Sequence, residues 1–352
     1  MSKKVKVLIV DDSAYMRVIL KDMIALEEGL EVVATAKDGF DALERIKESL
    51  PDVVLLDIQM PKMDGLATLQ RIMRESPTRV IMLSAMDKVD FDLPLRALEM
   101  GAVEFISKPG GPISVDIVKY RASIARTIRD VSGAKIEALK LARTPIKTDQ
   151  QRIMPKVAKA HKFKAIVIAA STGGPRALEY VFSRLPHNIP APIFVVQHLP
   201  AMFSDSFSKR LDAIKGPRTV VATDNQKAMR GFAYLAPGNH HLVLSQCSEQ
   251  AAIMNLNDSQ PVQFVRPSAD MLFESAARCF GDRLLAVVMT GMGMDGTNGA
   301  KAVKSAGGKV IVQDEETSVI FGMPKAVLDS GAADMVVPLK DIPVRIVEFL
   351  EE

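Results

Sequence analysis

Cysteine is almost missing from this chain: its 352 residues hold only Cys247 and Cys279, far apart and in no CxxC pair. That scarcity argues against a disulfide framework or a zinc site and suits a reducing compartment. Charge of one sign is lacking too, since a net charge of +3 is too small to point to nucleic acid. No apolar run approaches the roughly 18 residues of a membrane span. The first apolar run, 5–10, ends in Asp11-Asp12, shorter than a secretory leader needs. A cytoplasmic protein without direct membrane insertion is therefore expected. No repeat with a period of about 20–50 residues is visible. What is present is 48% hydrophobic and 25% charged residues, an ordinary globular balance, over a length that suits two domains.

Over residues 1–125, short apolar runs alternate with amphipathic segments. Runs at 5–10, 32–36, 53–56, 80–83 and 103–106 read as five strands. Helical spacing follows the first three, as in Met16, Ile19, Leu20 and Met23. Strict alternation predicts a parallel sheet with helices on both faces. The polar residues are placed more tellingly. Asp11 and Asp12 follow the first run, Asp57 the third, Ser84 the fourth and Lys108 the fifth. In such a sheet ligands bind at the carboxyl ends of strands, so these side chains can share one pocket. Three crowded carboxylates repel unless a cation joins them, and a hard divalent ion such as Mg²⁺ suits all-oxygen ligands and usually brings a phosphate. Lys108 supplies a fixed counter-charge, and Ser84 offers a hydroxyl to a phosphoryl oxygen. Each aspartate taken alone reads equally well as a helix cap or turn residue.

Residues 126–163 lose apolar periodicity and are basic, with Arg143, Lys147, Arg152, Lys156, Lys159 and Lys162. They read as a solvated linker, or as a patch that touches an acidic partner. No aromatics are interleaved among these basic residues to stack bases, which sets aside a nucleic-acid groove.

Residues 164–352 return to apolar runs at 165–170, 192–197, 284–289, 309–312 and 335–337, mostly with helical patterns between them. A mostly parallel α/β domain follows. Between 219 and 265 the runs are short and close, which predicts an antiparallel excursion. Three residues share one placement. Ser171 comes one step after the first run, in the stretch AIVIAASTGG. His198 comes one step after the second. Asp295 lies in a Gly-rich loop, TGMGMDGTNG, after the third. Nucleophile, base and orienting carboxylate are the parts of acyl-transfer catalysis, which is recognised by geometry rather than chain order. Other readings stay open. A lone histidine after a strand is often structural. Asp295 also reads as a helix cap, and its loop as an anion-binding turn, although it matches neither GxGxxG nor a Walker loop. His240 and His241 are adjacent, so in a strand they point to opposite faces and do not readily share a metal. Cys279 sits in a helical pattern and reads as core.

The first domain resembles the receiver domain of bacterial response regulators, in VDDS (10–13), LLDIQMPKMDG (55–65), LS (83–84) and FISKP (105–109). The second resembles the catalytic domain of chemotaxis-type protein-glutamate methylesterases, in ASTGGP (170–175), VQHLP (196–200), YLAPGNHH (234–241), RPSAD (266–270), TGMGMDG (290–296) and QDEETSVIFGMPKAV (313–327). The resemblance implies a flavodoxin-like receiver fused to a doubly wound hydrolase. It implies that Asp57 accepts a phosphoryl group from a histidine kinase. Asp11, Asp12, Asp57 and the Gln59 carbonyl would hold Mg²⁺, and Ser84 and Phe105 would act as switch residues beside Lys108. It implies Ser171 as nucleophile, His198 as base and Asp295 as third member, with no cofactor for the esterase. Backbone N–H groups of Thr172 and Met292 are the expected oxyanion donors. The implied substrates are glutamyl methyl esters and glutamines of methyl-accepting chemoreceptors, with phosphorylation relieving a block by the receiver. Two departures stand out: Ala169 replaces a glycine common two residues before the serine, and Phe264-Val265 precedes Arg266.

Overall fold

The computed structural model describes residues 4–84, 92–108, 116–141, 163–248 and 251–352. The basic stretch from Arg143 to Lys162 lies outside them. The chain forms two compact units, 1–140 and 141–352.

In the first unit five parallel strands, β1 (Val5–Val10), β2 (Leu30–Ala36), β3 (Val53–Asp57), β4 (Arg79–Ser84) and β5 (Glu104–Ser107), run in the order β2-β1-β3-β4-β5. Between and after them come α1 (Ala14–Ala25), α2 (Gly39–Ser49), α3 (Gly65–Glu75), α4 (Asp92–Met100) and α5 (Asp116–Ser132), then the short α6 (Ile136–Leu141). The first three helices start where short polar side chains satisfy free N–H groups. Ser13, Asp38 and Asp64 accept from the amides of Met16, Asp41 and Ala67. β3 is buried along its whole length, as a central strand covered on both faces must be. The strand order reverses between β1 and β3. That crevice is where such sheets bind ligands, and it is where Asp11, Asp12 and Asp57 end their strands.

The second unit is built on β6 (Ala165–Ala170), β7 (Ile193–Gln197), β8 (Arg218–Val221), β10 (Phe232–Leu235), β13 (Leu284–Val288), β14 (Lys309–Gln313) and β15 (Met335–Val337). These seven run β15-β14-β13-β6-β7-β10-β8, and every pairing is parallel. Helices α7 (Gly174–Phe182), α8 (Ser204–Ala213), α9 (Ala269–Phe280), α10 (Thr297–Ser305), α11 (Met323–Asp329) and α12 (Ile342–Glu351) pack around it. The expected antiparallel excursion is resolved more finely. Two of the short runs, β8 and β10, are parallel members of the main sheet. β9 (Gln226–Lys227), β11 (His241–Ser245) and β12 (Ile253–Asn257) leave it to form a separate antiparallel sheet. The reversal of order here falls between β6 and β13.

One expectation is overturned. Cys247 and Cys279 are bonded, with Cα atoms 5.2 Å apart. The cause is tertiary: α9 lies along β11, where the Leu244 N–H donates to Ser275 Oγ at 3.0 Å. That brings the end of β11 to the last turn of α9, so a separation of 32 residues closes to a bond. Both residues lie half-buried against the core.

Ala169 also finds its account. It is fully buried in β6, and a Cβ added at Gly296 would sit 3.9 Å from its methyl. The side chain fills core space beneath the turn that follows Asp295.

Candidate active site

Ser171 follows β6 at the switch point. Its N–H donates to Thr290 O at 3.0 Å, just past β13, so the residue is pinned across the crevice. Gly173 then takes φ +78, a left-handed conformation that a side chain resists, and its Cβ would also strike Val319 at 2.6 Å. Gly174 N–H donates to Ser171 O at 2.7 Å, and Pro175 opens α7. The predicted strand, tight turn and helix are thus all present.

The turn is held by side chains that sequence reasoning passed over. Gln197, buried at the end of β7, donates from Nε2 to Ser171 O at 3.0 Å and to His198 O at 3.3 Å. Thr290 Oγ1 donates to Thr172 O at 3.0 Å, and the Thr290 N–H donates to Gln313 Oε1 at 2.8 Å. Gly174 lies so close to Gln197 that a Cβ there would fall 2.1 Å from Oε1 and 2.8 Å from the Ala170 Cβ. Gly174→Ala is therefore expected to displace the Gln197 amide and loosen the turn. A stability loss on the order of 2 kcal/mol, read as a lower Tm, should accompany a slower reaction of Ser171.

His198 follows β7, with its N–H on Ala170 O at 3.1 Å. Its ring Nε2 stands 2.8 Å from Asp295 Oδ2, and the histidine side chain is only 12% exposed. With Nε2–H donating to the carboxylate, Nδ1 is the ring nitrogen left to accept a proton. Among the described residues no hydrogen bond joins Ser171 Oγ to His198, a contact that often tightens only with substrate bound.

Asp295 is the most tightly held group of the site. Oδ1 accepts from Ser268 Oγ at 2.7 Å and from the Asp270 N–H at 3.1 Å. Oδ2 accepts from the Ala269 N–H at 2.6 Å besides His198. Burial would raise its carboxyl, but the hydrogen bond and charge of His198, then those of Ser268 and Ala269, outweigh burial and hold it below the usual value. Asp295 caps α9 rather than the helix that follows it. His241, fully buried, accepts the Ser268 N–H on Nδ1 at 3.1 Å and faces Gln260 O through Nε2 at 3.2 Å. Burial pushes its pKa down, so it stays a neutral acceptor. His240 lies outside the strand and pairs with Asp258.

The expected oxyanion donors sit on two touching segments. Thr172 is buried directly after Ser171. Met292 follows Gly291, where an added Cβ would come 2.8 Å from Ser171 Cβ.

In the first unit the acidic cluster is assembled as expected. Carboxylate oxygens of Asp11, Asp12 and Asp57 all lie within 4.8 Å of one another. Lys108 Nζ bridges Asp11 Oδ2 at 2.7 Å and Asp57 Oδ2 at 2.8 Å. Burial pushes the Asp57 carboxyl up, and Lys108 draws it partly back. The Lys108 N–H donates to Ser84 O at 2.6 Å, which ties the ends of β4 and β5. Phe105 is buried on β5, and Gln59, two residues past Asp57, is exposed between the buried Ile58 and Met60. Three carboxylates converging on one point as an all-oxygen cluster fit a hard divalent cation.

Comparison with known proteins agrees with both halves. Residues 7–116 match the response regulator receiver domain model, and residues 166–346 match the CheB methylesterase model. A protein-glutamate methylesterase/protein-glutamine glutaminase of Pyrococcus horikoshii is 42% identical, over 100% of this chain and 95% of that one. Its counterpart in Thermotoga maritima is 40% identical over 98% of each. The crystal structure of the Thermotoga maritima CheB methylesterase catalytic domain superposes with a TM-score of 0.52 at 43% identity, covering 53% of this chain and 99% of that one. The chain thus belongs to the protein-glutamate methylesterase/protein-glutamine glutaminase family, with a response regulator receiver domain ahead of its CheB methylesterase domain.

Proposed function

We propose that the chain is a phosphorylation-controlled hydrolase that cleaves glutamate γ-methyl esters, and deamidates glutamines, on the side chains of chemoreceptors. The observation that carries this reading is the hydrogen bond between His198 and Asp295 beside the Ser171 turn, where the His198 N–H donates to Ala170 O. Ser171 Oγ attacks the γ-carbonyl while its proton passes to His198 Nδ1. The amides of Thr172 and Met292 receive the oxyanion, each such donor being worth about 3 kcal/mol. The imidazolium, stabilised through Nε2 by Asp295, then protonates the departing methanol. Water takes the same route in reverse, with His198 as base, and frees the glutamate. A glutamine amide follows the same steps and releases ammonia.

Control enters through Asp57. Asp11, Asp12, Asp57 and the Gln59 carbonyl would hold Mg²⁺, which offsets phosphate charge during transfer. Asp57 accepts the phosphoryl group from a histidine kinase. Lys108, which bridges Asp57 and Asp11, exchanges a carboxylate for a phosphoryl oxygen. Ser84 and Phe105 relay the change, a local charge event with a distant readout that lifts a block by the receiver.

Methanol release from methylated receptor membranes, with and without a small phosphodonor, tests both parts. The phosphodonor should raise the rate for the wild type and leave Asp57→Asn unresponsive. Equal stimulation of the variant would remove Asp57 from the control path, and no methanol under either condition would end the esterase reading.

A further inference from the structure

The segment RPSAD (266–270) borders the triad, yet the triad leaves it without a task. The structure supplies one. Helix α9 begins at Ala269 and helix α10 at Thr297, and each receives its cap from the other's threshold. Asp295, two residues ahead of α10, accepts the first two amides of α9, those of Ala269 and Asp270. Asp270, in the first turn of α9, accepts the Gly299 N–H of α10 at 2.8 Å. The helices meet so closely that a Cβ on Gly299 would fall 2.5 Å from Phe273 Cβ and 3.1 Å from Asp270 Cα. Two carboxylates are thereby exchanged between two helix N-termini, where each is favoured by the end of a helix dipole.

Ser268 and Asp270 flank this exchange and act on Asp295 with opposite electrostatic sense. Ser268 Oγ donates to Oδ1 and stabilises the negative charge. Asp270 brings a second buried carboxylate, which repels it. Asp270 is itself anchored by Gln263 Nε2 at 2.9 Å. Ser268 is anchored through its N–H to His241 Nδ1. All four positions around the Asp295 carboxylate are filled by donors, about the full capacity of its two oxygens, so it cannot rotate away from His198.

We propose that Ser268 and Asp270 are positioning residues of the hydrolase: through the reciprocal capping of α9 and α10 they fix where the Asp295 carboxylate stands and how strongly it holds the protonated His198. This rests on the reading of His198 and Asp295 as base and orienting acid. A donor removed from Asp295 makes it more basic, which strengthens its hold on imidazolium. A neighbouring negative charge removed does the reverse. The ionisable groups around the His198–Asp295 pair are His241 on β11 and Asp270 on α9, with Arg266 ahead of α9 acting on His241 and Glu274 on α9 acting on Asp270. All but the substituted one stay in place through the comparison. Burial pushes the Asp270 carboxyl up, the Gly299 amide draws it down, and the charge of Asp295 raises it again.

The test compares Ser268→Ala and Asp270→Asn in the full-length enzyme. The amide keeps an acceptor for Gly299, and Gln263 can turn its own amide to match, so Asp270→Asn is built to fold. The readouts are the pH profile of kcat/KM for ester hydrolysis and the rate at which an organophosphonate labels Ser171. The acid limb reports loss of the neutral imidazole. It should move up by on the order of half a pH unit in Ser268→Ala and down by a similar amount in Asp270→Asn. Ser268→Ala should also lower kcat by roughly tenfold with KM unchanged, the scale of one lost hydrogen bond to a charged group. Ser268→Thr, which keeps the hydroxyl, should return the limb to its wild-type place. Limbs that stay put, or move the same way in both variants, overturn the proposal, because a purely structural role lowers Tm without separating the signs. If the wild type itself fails to react with the phosphonate, the triad reading falls first and this one with it. A reactive wild type with unshifted variants sinks this inference alone.

Discussion

Ser171→Ala should lose ester hydrolysis by a factor on the order of 10⁴–10⁶ while folding normally. The expectation of normal folding follows from how the residue is held. The contacts at Ser171 are made by its backbone: N–H to Thr290 O, and C=O from Gly174 N–H and Gln197 Nε2. Alanine keeps them all. The hydroxyl is half-buried at a sheet edge, so removing it should shift stability by no more than about 0.5 kcal/mol. Substrate affinity should change little, because the nucleophile contributes to the barrier rather than to docking. The loss should therefore appear in kcat. Methanol release and phosphonate labelling measure it together. A variant that keeps turnover within tenfold of the wild type, or still takes up the label at the wild-type rate, would remove Ser171 from the chemistry. The floor of this range is set by what remains: the oxyanion amides and bound water still outpace solution.

Both sites were legible in the sequence for one reason: in an open parallel sheet the strand ends converge at the place where the order reverses. Placement just past an apolar run, or for Asp295 in the Gly-rich loop that follows one, grouped Asp11, Asp12 and Asp57, and separately Ser171, His198 and Asp295. The structure places the first set at the β1/β3 reversal and the second around β6/β13. What stayed hidden depends on pairing between distant segments. Short, closely spaced apolar runs mark strands between 219 and 265, but they do not say that β8 and β10 join the parallel sheet while β9, β11 and β12 leave it. The Cys247–Cys279 bond has the same origin, since only the packing of α9 on β11 brings the two residues together. Gln197 was read as the last residue of a strand, yet its side chain supports the backbone of the nucleophile. Ser268 and Asp270 stand in a quoted motif, but their task stayed hidden because a helix cap supplied from 25 residues further along the chain leaves no local signature. His241 shows the limit most plainly. Adjacency to His240 speaks only to a shared metal and says nothing of the role of His241 as a buried acceptor.

The second large effect is expected at Asp295. Asp295→Asn should reduce kcat by about 10⁴-fold, and unlike the serine variant it should also destabilise the fold. The two losses share one cause. All four groups around this side chain are donors: His198 Nε2, Ser268 Oγ and the amides of Ala269 and Asp270. A carboxylate satisfies them. An amide offers one acceptor oxygen and turns two N–H bonds on the rest. Facing its oxygen toward His198 opposes its NH₂ to Ser268 and the Asp270 amide. Facing it the other way opposes NH₂ to His198 and presses that ring toward the wrong tautomer, with Nδ1 protonated and no longer a base. The buried mismatch should cost about 3 kcal/mol, seen as a lower Tm or denaturation midpoint. The pH dependence carries the same signature. Asp295 has a carboxyl pKa lowered in the folded chain, so its ionised form stabilises the fold above the unfolded value near 3.8 and that contribution is lost as pH falls through the lower folded value. The wild type should therefore lose stability relative to Asp295→Asn below about pH 4, and the gap between their unfolding free energies should narrow there. A variant as stable as the wild type at pH 7, with its kcat within tenfold, would mean that α9 does not need its cap and His198 does not need its carboxylate. One substitution thus tests the helix terminus and the proton path at the same atom.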